Sequence, residues 1–157
     1  MASDALMMRA ALAEAKRGIA AGDGGPFGVV IAGKRGNILA KAHNTVLRSG
    51  NPTHHAEMNA ITVASAKLRT FDLGNCTIYA TCKPCMMCSG AIIWARIGRI
   101  VYGAGSNDAK KLGFLEPTAS DAQIRKMAKM GITGGVLRSE CVSMMRAWAR
   151  SPKKRLY

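Results

Sequence analysis

His55-Ala56-Glu57 and, further along the chain, Pro84-Cys85-Met86-Met87-Cys88 together supply three side chains suited to zinc and one carboxylate left free of it. Four protein ligands close a structural zinc site. Two Cys and one His instead keep a fourth position for water, which ionises near neutrality on the metal. A carboxylate beside such a water can move protons. These stretches predict one reactive zinc per chain, ligated by His55, Cys85 and Cys88, with Glu57 as acid and base.

The local sequence supports that assignment. Pro84 suits the first turn of a helix, which sets Cys85 and Cys88 one turn apart on one face, where the helix dipole favours thiolate. His55 enters at the start of another helix. Glu57, two residues on, shares no face with it in a regular helix, so both reach one metal only if that helix end points at the site. His54 is the neighbouring rival, but only His55 has a Glu at this offset, and His54 reads as a surface or loop anchor. Cys82, Cys85 and Cys88 could also suggest an iron–sulfur cluster, which needs a fourth cysteine. Cys76 and Cys141 lack the spacing to supply it; they read as small buried apolar residues and Cys82 as strand-end packing.

Outward from the motifs, apolar periodicity gives alternating helices and strands, and so an α/β fold. Ser3 caps a helix to about residue 20, with Leu6, Ala10, Ala13 and Arg17 on one stripe. Residues 27–32 and 38–45 form a hairpin around Gly33-Lys34-Arg35-Gly36-Asn37. Thr53 caps a helix to residue 68, with Met58, Ile61, Ala64 and Leu68 inward. A strand at 76–81, a helix to 96, a strand at 100–102, a helix at 118–130, a strand at 132–137 and a helix at 139–150 complete the chain.

The 157 residues, 48% hydrophobic, suit one domain over 1–150 with a basic tail at 151–157. No apolar run reaches the ~20 residues needed to cross a bilayer. Ser3-Asp4 lead into a charged stretch unlike a secretory signal, so a cytoplasmic location is expected. Five cysteines, three of them in one cluster, fit reduced thiols better than a disulfide framework. The net charge of +14 permits attraction to nucleic acid, but the cations are scattered except at Arg146, Arg150, Lys153, Lys154 and Arg155, which reads as a solvated basic surface.

On its zinc motifs the chain resembles the cytidine deaminase-like superfamily over about residues 6–114. The resemblance implies a three-layer α/β/α fold around a five-stranded mixed sheet, usually as a homodimer. Gly24-Gly25-Pro26-Phe27-Gly28, Asn44, Trp94-Ala95-Arg96 and Asp108-Ala109-Lys110-Lys111-Leu112-Gly113-Phe114 are similar to the guanine deaminase branch. By that similarity Phe27 stacks on a small-molecule nucleobase, Asn44 bonds it, Trp94 lines the pocket, Glu116 assists proton transfer and Tyr157 closes the site. The implied reaction is guanine to xanthine and ammonia. Leu115 before Glu116, and Lys83 where many relatives carry Glu, depart from the pattern. The alternatives are a tRNA adenosine deaminase, suggested by residues 96–104 and the basic last helix, and a cytosine or other aminoheterocycle deaminase. A zinc-stabilised nucleic-acid-binding module is the non-enzymatic alternative; it would not require Glu57.

Overall fold

A computed structural model of the chain describes residues 3–152 and 154–157; Lys153, counted above in the basic tail, lies outside the described residues. The elements run α1 (Asp4–Ala21), β1 (Gly28–Ala32), β2 (Ile38–His43), α2 (Val46–Ser49), α3 (Ala56–Leu68), β3 (Thr77–Cys82) and α4 (Met86–Trp94). They continue through β4 (Arg99–Ala104), α5 (Ser106–Lys110), α6 (Asp121–Met127), β5 (Gly131–Thr133) and α7 (Arg138–Ala149).

Residues of β1 are buried on both faces, as expected of a strand covered on each side by helices. Val29 and Ile31 pack with Ala56, Ala60 and Ile92 of α3 and α4. Val30 and Ala32 pack the other way, with Met8, Ala11 and Met145 of α1 and α7. Two cores thus sandwich the sheet in three layers. The strand order is β2-β1-β3-β4-β5. β1 is antiparallel to β2 and β3, whereas β3, β4 and β5 run parallel, giving the expected five-stranded mixed sheet.

Several local expectations shift. On α1 the buried face is Met7, Met8, Ala11, Leu12 and Ala15, while Leu6 is exposed: small residues all round the helix let a neighbouring stripe win. On α3 the inward residues are Ala56, Glu57, Ala60 and Ala64, and Leu68 is exposed, because alanines let the helix lie close on the sheet. This helix starts at Ala56 with His55 as its cap, not Thr53, whose hydroxyl donates to Asn51 Oδ1 at 2.7 Å. The last strand stops at Thr133, since Gly134 abuts the Tyr102 ring and Gly135 turns the chain at φ 83°. Among the described residues no helix is long and apolar enough to cross a membrane.

Candidate active site

The parallel strands β3 and β4 deliver their C-terminal ends to one side of the sheet, where the N-termini of α3 and α4 also converge. The chain leaves β3 through Lys83-Pro84, and Cys85 becomes the cap of α4, with Cys88 in its first turn. His55 is the cap of α3. Two ligand-type residues therefore occupy caps, just ahead of the helical turns expected from sequence. An extended backbone at each cap aims the side chain past the helix end.

His55 Nδ1 lies 3.7 Å from Cys85 Sγ and 3.6 Å from Cys88 Sγ. Ligands of a tetrahedral zinc with ordinary Zn–N and Zn–S bonds lie roughly 3.5–3.8 Å apart, so this trio fits the ion. Its protonation chemistry fits as well. A hydrogen bond from Cys88 holds the Cys85 thiol down at about 4 against burial, with His55 assisting. The Cys88 thiol is pushed up by that same bond and by burial. Burial opposes charge on His55, but its bond to Cys85 and the nearby Glu116 and Glu57 carboxylates raise it to about 9. These shifts favour charge on His55 and Cys85 and a proton on Cys88. Metal binding would exchange two protons for one divalent cation.

Glu57, in the first turn of α3, is buried and lines the same cavity as His55, Cys85, Phe27, Asn44 and Glu116. Burial, reinforced by the Cys85 charge, raises its carboxyl to about 7, a range suited to taking and returning a proton near neutrality. Glu116 Oε1 is 3.6 Å from His55 Nε2, and burial raises its carboxyl too. Its loop is fastened by the Met86 N–H donating to Pro117 O at 2.7 Å.

Asn44 is 1% exposed. Its Oδ1 accepts from the Val46 N–H at 3.1 Å, which fixes the amide's orientation and leaves Nδ2 buried with no hydrogen-bond partner. A buried donor in a cavity wall calls for an acceptor on whatever fills the cavity. Phe27 and Phe114 form an edge-on pair at 4.8 Å, and Phe114 stacks on Trp148 at 5.3 Å. Tyr157 Oη accepts from the Gly25 N–H at 3.3 Å, and its ring stands 6.0 Å from Phe114, so the terminal residue docks beside the cavity of its own chain.

Trp94 departs from expectation. It sits at the far end of α4, 85% exposed, in an apolar groove with Phe71, Ile61 and Ile93, and is not part of the cavity wall. The nine-residue α4 carries Cys85 at one end and Trp94 at the other, so one helix cannot bring both to one cavity. Sequence reasoning missed Lys83, Ser106, Ala109, Phe114 and Thr118 as wall residues. For Lys83 the signal was its place at the end of a buried strand. The lysine, only 11% exposed in its side chain, pairs with Asp121 at 2.7 Å. Cys82 is buried at the end of β3 and also faces the cavity, whereas His54 Nε2 accepts from Asn51 Nδ2 at 3.1 Å.

Comparison with known proteins agrees with this geometry. Residues 1–104 match the model of the cytidine and deoxycytidylate deaminase zinc-binding region. A guanine deaminase of Bacillus subtilis strain 168 is 45% identical over 107 residues, 68% of each chain. The tRNA-specific adenosine deaminase of the same organism is 34% identical over 155 residues, 99% of this chain and 94% of the relative. A solved guanine deaminase of Nitrosomonas europaea superposes with a TM-score of 0.89 at 30% identity, over 96% of this chain and 87% of that one. With a cluster suited to zinc at the helix ends and a buried carboxylate beside it, the chain belongs to the cytidine and deoxycytidylate deaminase family and is a hydrolytic deaminase.

Proposed function

We propose that the chain hydrolyses guanine to xanthine and ammonia. The orphaned Asn44 Nδ2 carries this reading: a small cavity offers an aromatic wall, one buried donor and two carboxylates, the complement of a flat heterocycle bearing an acceptor and an exocyclic amine. His55, Cys85 and Cys88 would hold one zinc, which when bound supplies Lewis-acid activation of water at neutral pH. Phe27 stacks on the base and Asn44 Nδ2 donates to it. Glu57 takes one proton from the attacking water and delivers it to a ring nitrogen, then takes the remaining proton from the new C–OH and passes it to the amine, so that the C–N bond breaks, ammonia leaves and a carbonyl remains. Glu116 holds a second carboxylate toward the amine, and Tyr157 closes the cavity rim. In this reading residues 1–150 are the deaminase domain and residues 151–157 a basic tail.

The chain acts in the cytoplasm as a homodimer, a state supported by the exposed apolar groove of Trp94 and Phe71. An ammonia-release panel of guanine, guanosine, adenine, cytosine, aminotriazines and tRNA tests the reading. Guanine is expected to react fastest, with xanthine as product; turnover of tRNA without guanine would overturn it.

Deamination of adenosine in tRNA is the second reading, favoured by the near full-length similarity to a tRNA-specific adenosine deaminase and by the +14 charge. It predicts a steep salt dependence of RNA binding that flattens when Lys153, Lys154 and Arg155 are neutralised with Tyr157 kept. Guanine turnover would be insensitive to those changes.

A further inference from the structure

Beyond the cavity, on the outer side of β2, the ring of His43 is held between two carboxylates from different parts of the chain. Nδ1 is 2.8 Å from Glu14 Oε1 on α1, and Nε2 is 2.8 Å from Asp23 Oδ2 in the loop that follows α1. All three side chains are largely buried, and Arg17 and Arg48 share the oxygens that face His43, at 2.9 Å from Glu14 Oε1 and 3.2 Å from Asp23 Oδ2. Each ring nitrogen of His43 thus faces one carboxylate oxygen. Gly18 makes room for this, since a Cβ there would meet the imidazole.

Each tie leads to the cavity. Asp23 precedes Gly24, whose missing side chain leaves room for the Asn44 amide; any Cβ at Gly24 would collide with Asn44 Oδ1. Asn44 directly follows His43. The His43 carbonyl accepts from Asn59 Nδ2 at 2.9 Å, which joins the same strand end to α3. Hydrolytic chemistry needs none of these charges, and the cluster touches none of the reacting groups.

We propose that His43 is a positioning residue for substrate recognition: by tying Asp23 and Glu14 to the end of β2 it presses the Gly24 loop onto Asn44 and holds Nδ2 aimed into the cavity. This rests on the reading of Asn44 as the base-binding donor. Loss of the tie leaves the amide held by the Val46 N–H alone, so its aim loosens and binding weakens while the proton-transfer machinery stays in place.

The test uses zinc-loaded full-length enzyme with His43→Gln and, as a variant that keeps the packing, Asp23→Asn. KM for guanine should rise on the order of tenfold, as expected when a binding group is displaced by a fraction of an ångström, with kcat and zinc content unchanged. In an Asn44→Ala background the same substitutions should add little, because the group they position is gone. The Asn44 side-chain NH2 resonances, assigned by their loss in Asn44→Ala, should be sharp in the parent and broadened or doubled in both variants. That readout needs no substrate, so it tests the clamp even if guanine is not turned over, which would instead sink the proposed function. Full additivity with Asn44→Ala, or unaltered NH2 resonances in Asp23→Asn, would overturn the positioning role.

Discussion

Replacing Asn44 by Ala separates function from stability in a way the geometry makes quantitative. The substitution removes the acceptor for the Val46 N–H, at a cost of about 1 kcal/mol. It also removes the buried Nδ2, which has no partner and so carries a desolvation penalty of about 1–3 kcal/mol in the free enzyme. The two effects oppose each other, and the unliganded variant should be as stable as the parent within about 1 kcal/mol, or slightly more stable. Catalysis has no such compensation. An acceptor on the base loses the Nδ2 donor, worth about 1–3 kcal/mol, so kcat/KM should fall roughly 5- to 150-fold, mostly through KM. Urea unfolding and steady-state ammonia release on the same preparation measure both quantities. A variant that loses more than about 3 kcal/mol of stability yet keeps its kcat/KM would show Asn44 to be structural.

Glu57→Gln should keep zinc and fold but lose about 10²- to 10⁴-fold in turnover, read by metal analysis beside single-turnover kinetics; near-parental rates would assign the proton to another group. Purified protein should carry one zinc per chain, and its zinc affinity should fall steeply with falling pH because His55 and Cys88 must release protons to bind metal. A pH-independent affinity would contradict the ligand set. Asp4 accepts two hydrogen bonds from Arg99, at 2.9 and 2.6 Å, and the hydrogen-bonded guanidinium lowers its carboxyl below 3.8. A depressed carboxylate stabilises the fold above its unfolded value and loses that contribution as pH falls through the folded one. Asp4→Asn should therefore cost about 1 kcal/mol at neutral pH and nothing well below 3.8, as followed by thermal unfolding; an equal loss at both would exclude the ion pair as the cause.

The metal cluster was legible because its chemistry is local: Cys85 and Cys88 are one turn apart, and the His55–Glu57 offset needs only a helix end. Beyond the hairpin of β1 and β2, strand order and pairing were not in the periodicity, which reports faces and not neighbours, and the family resemblance implied only a five-stranded mixed sheet. The face of α1 was misassigned and that of α3 only in part, since Ala64 is buried and Ile61 packs on the core as expected; alanine fits either side of a helix, and the larger residues Leu6 and Leu68 to which the pattern pointed are exposed. Wall residues such as Ser106, Phe114 and Thr118 come from the five-residue α5 and the loop after it, too short or irregular for a period to be read. The His43 cluster was invisible for a related reason. Glu14 sits in a helix whose visible stripe was placed on another face, and Asp23 looked like part of a turn.

The alanine face of α3 has a kinetic consequence. Ala56, Ala60 and Ala64 seat that helix on Val29 and Ile31 through their methyl groups, which have no rotamers to repack, so the height of His55 above β1 is closely set by packing. A ligand fixed in this way stays in place when the ion leaves. Metal capture then requires desolvation and proton release without a search for geometry, so the apoprotein should reload at a rate governed by ligand exchange on the aqueous ion.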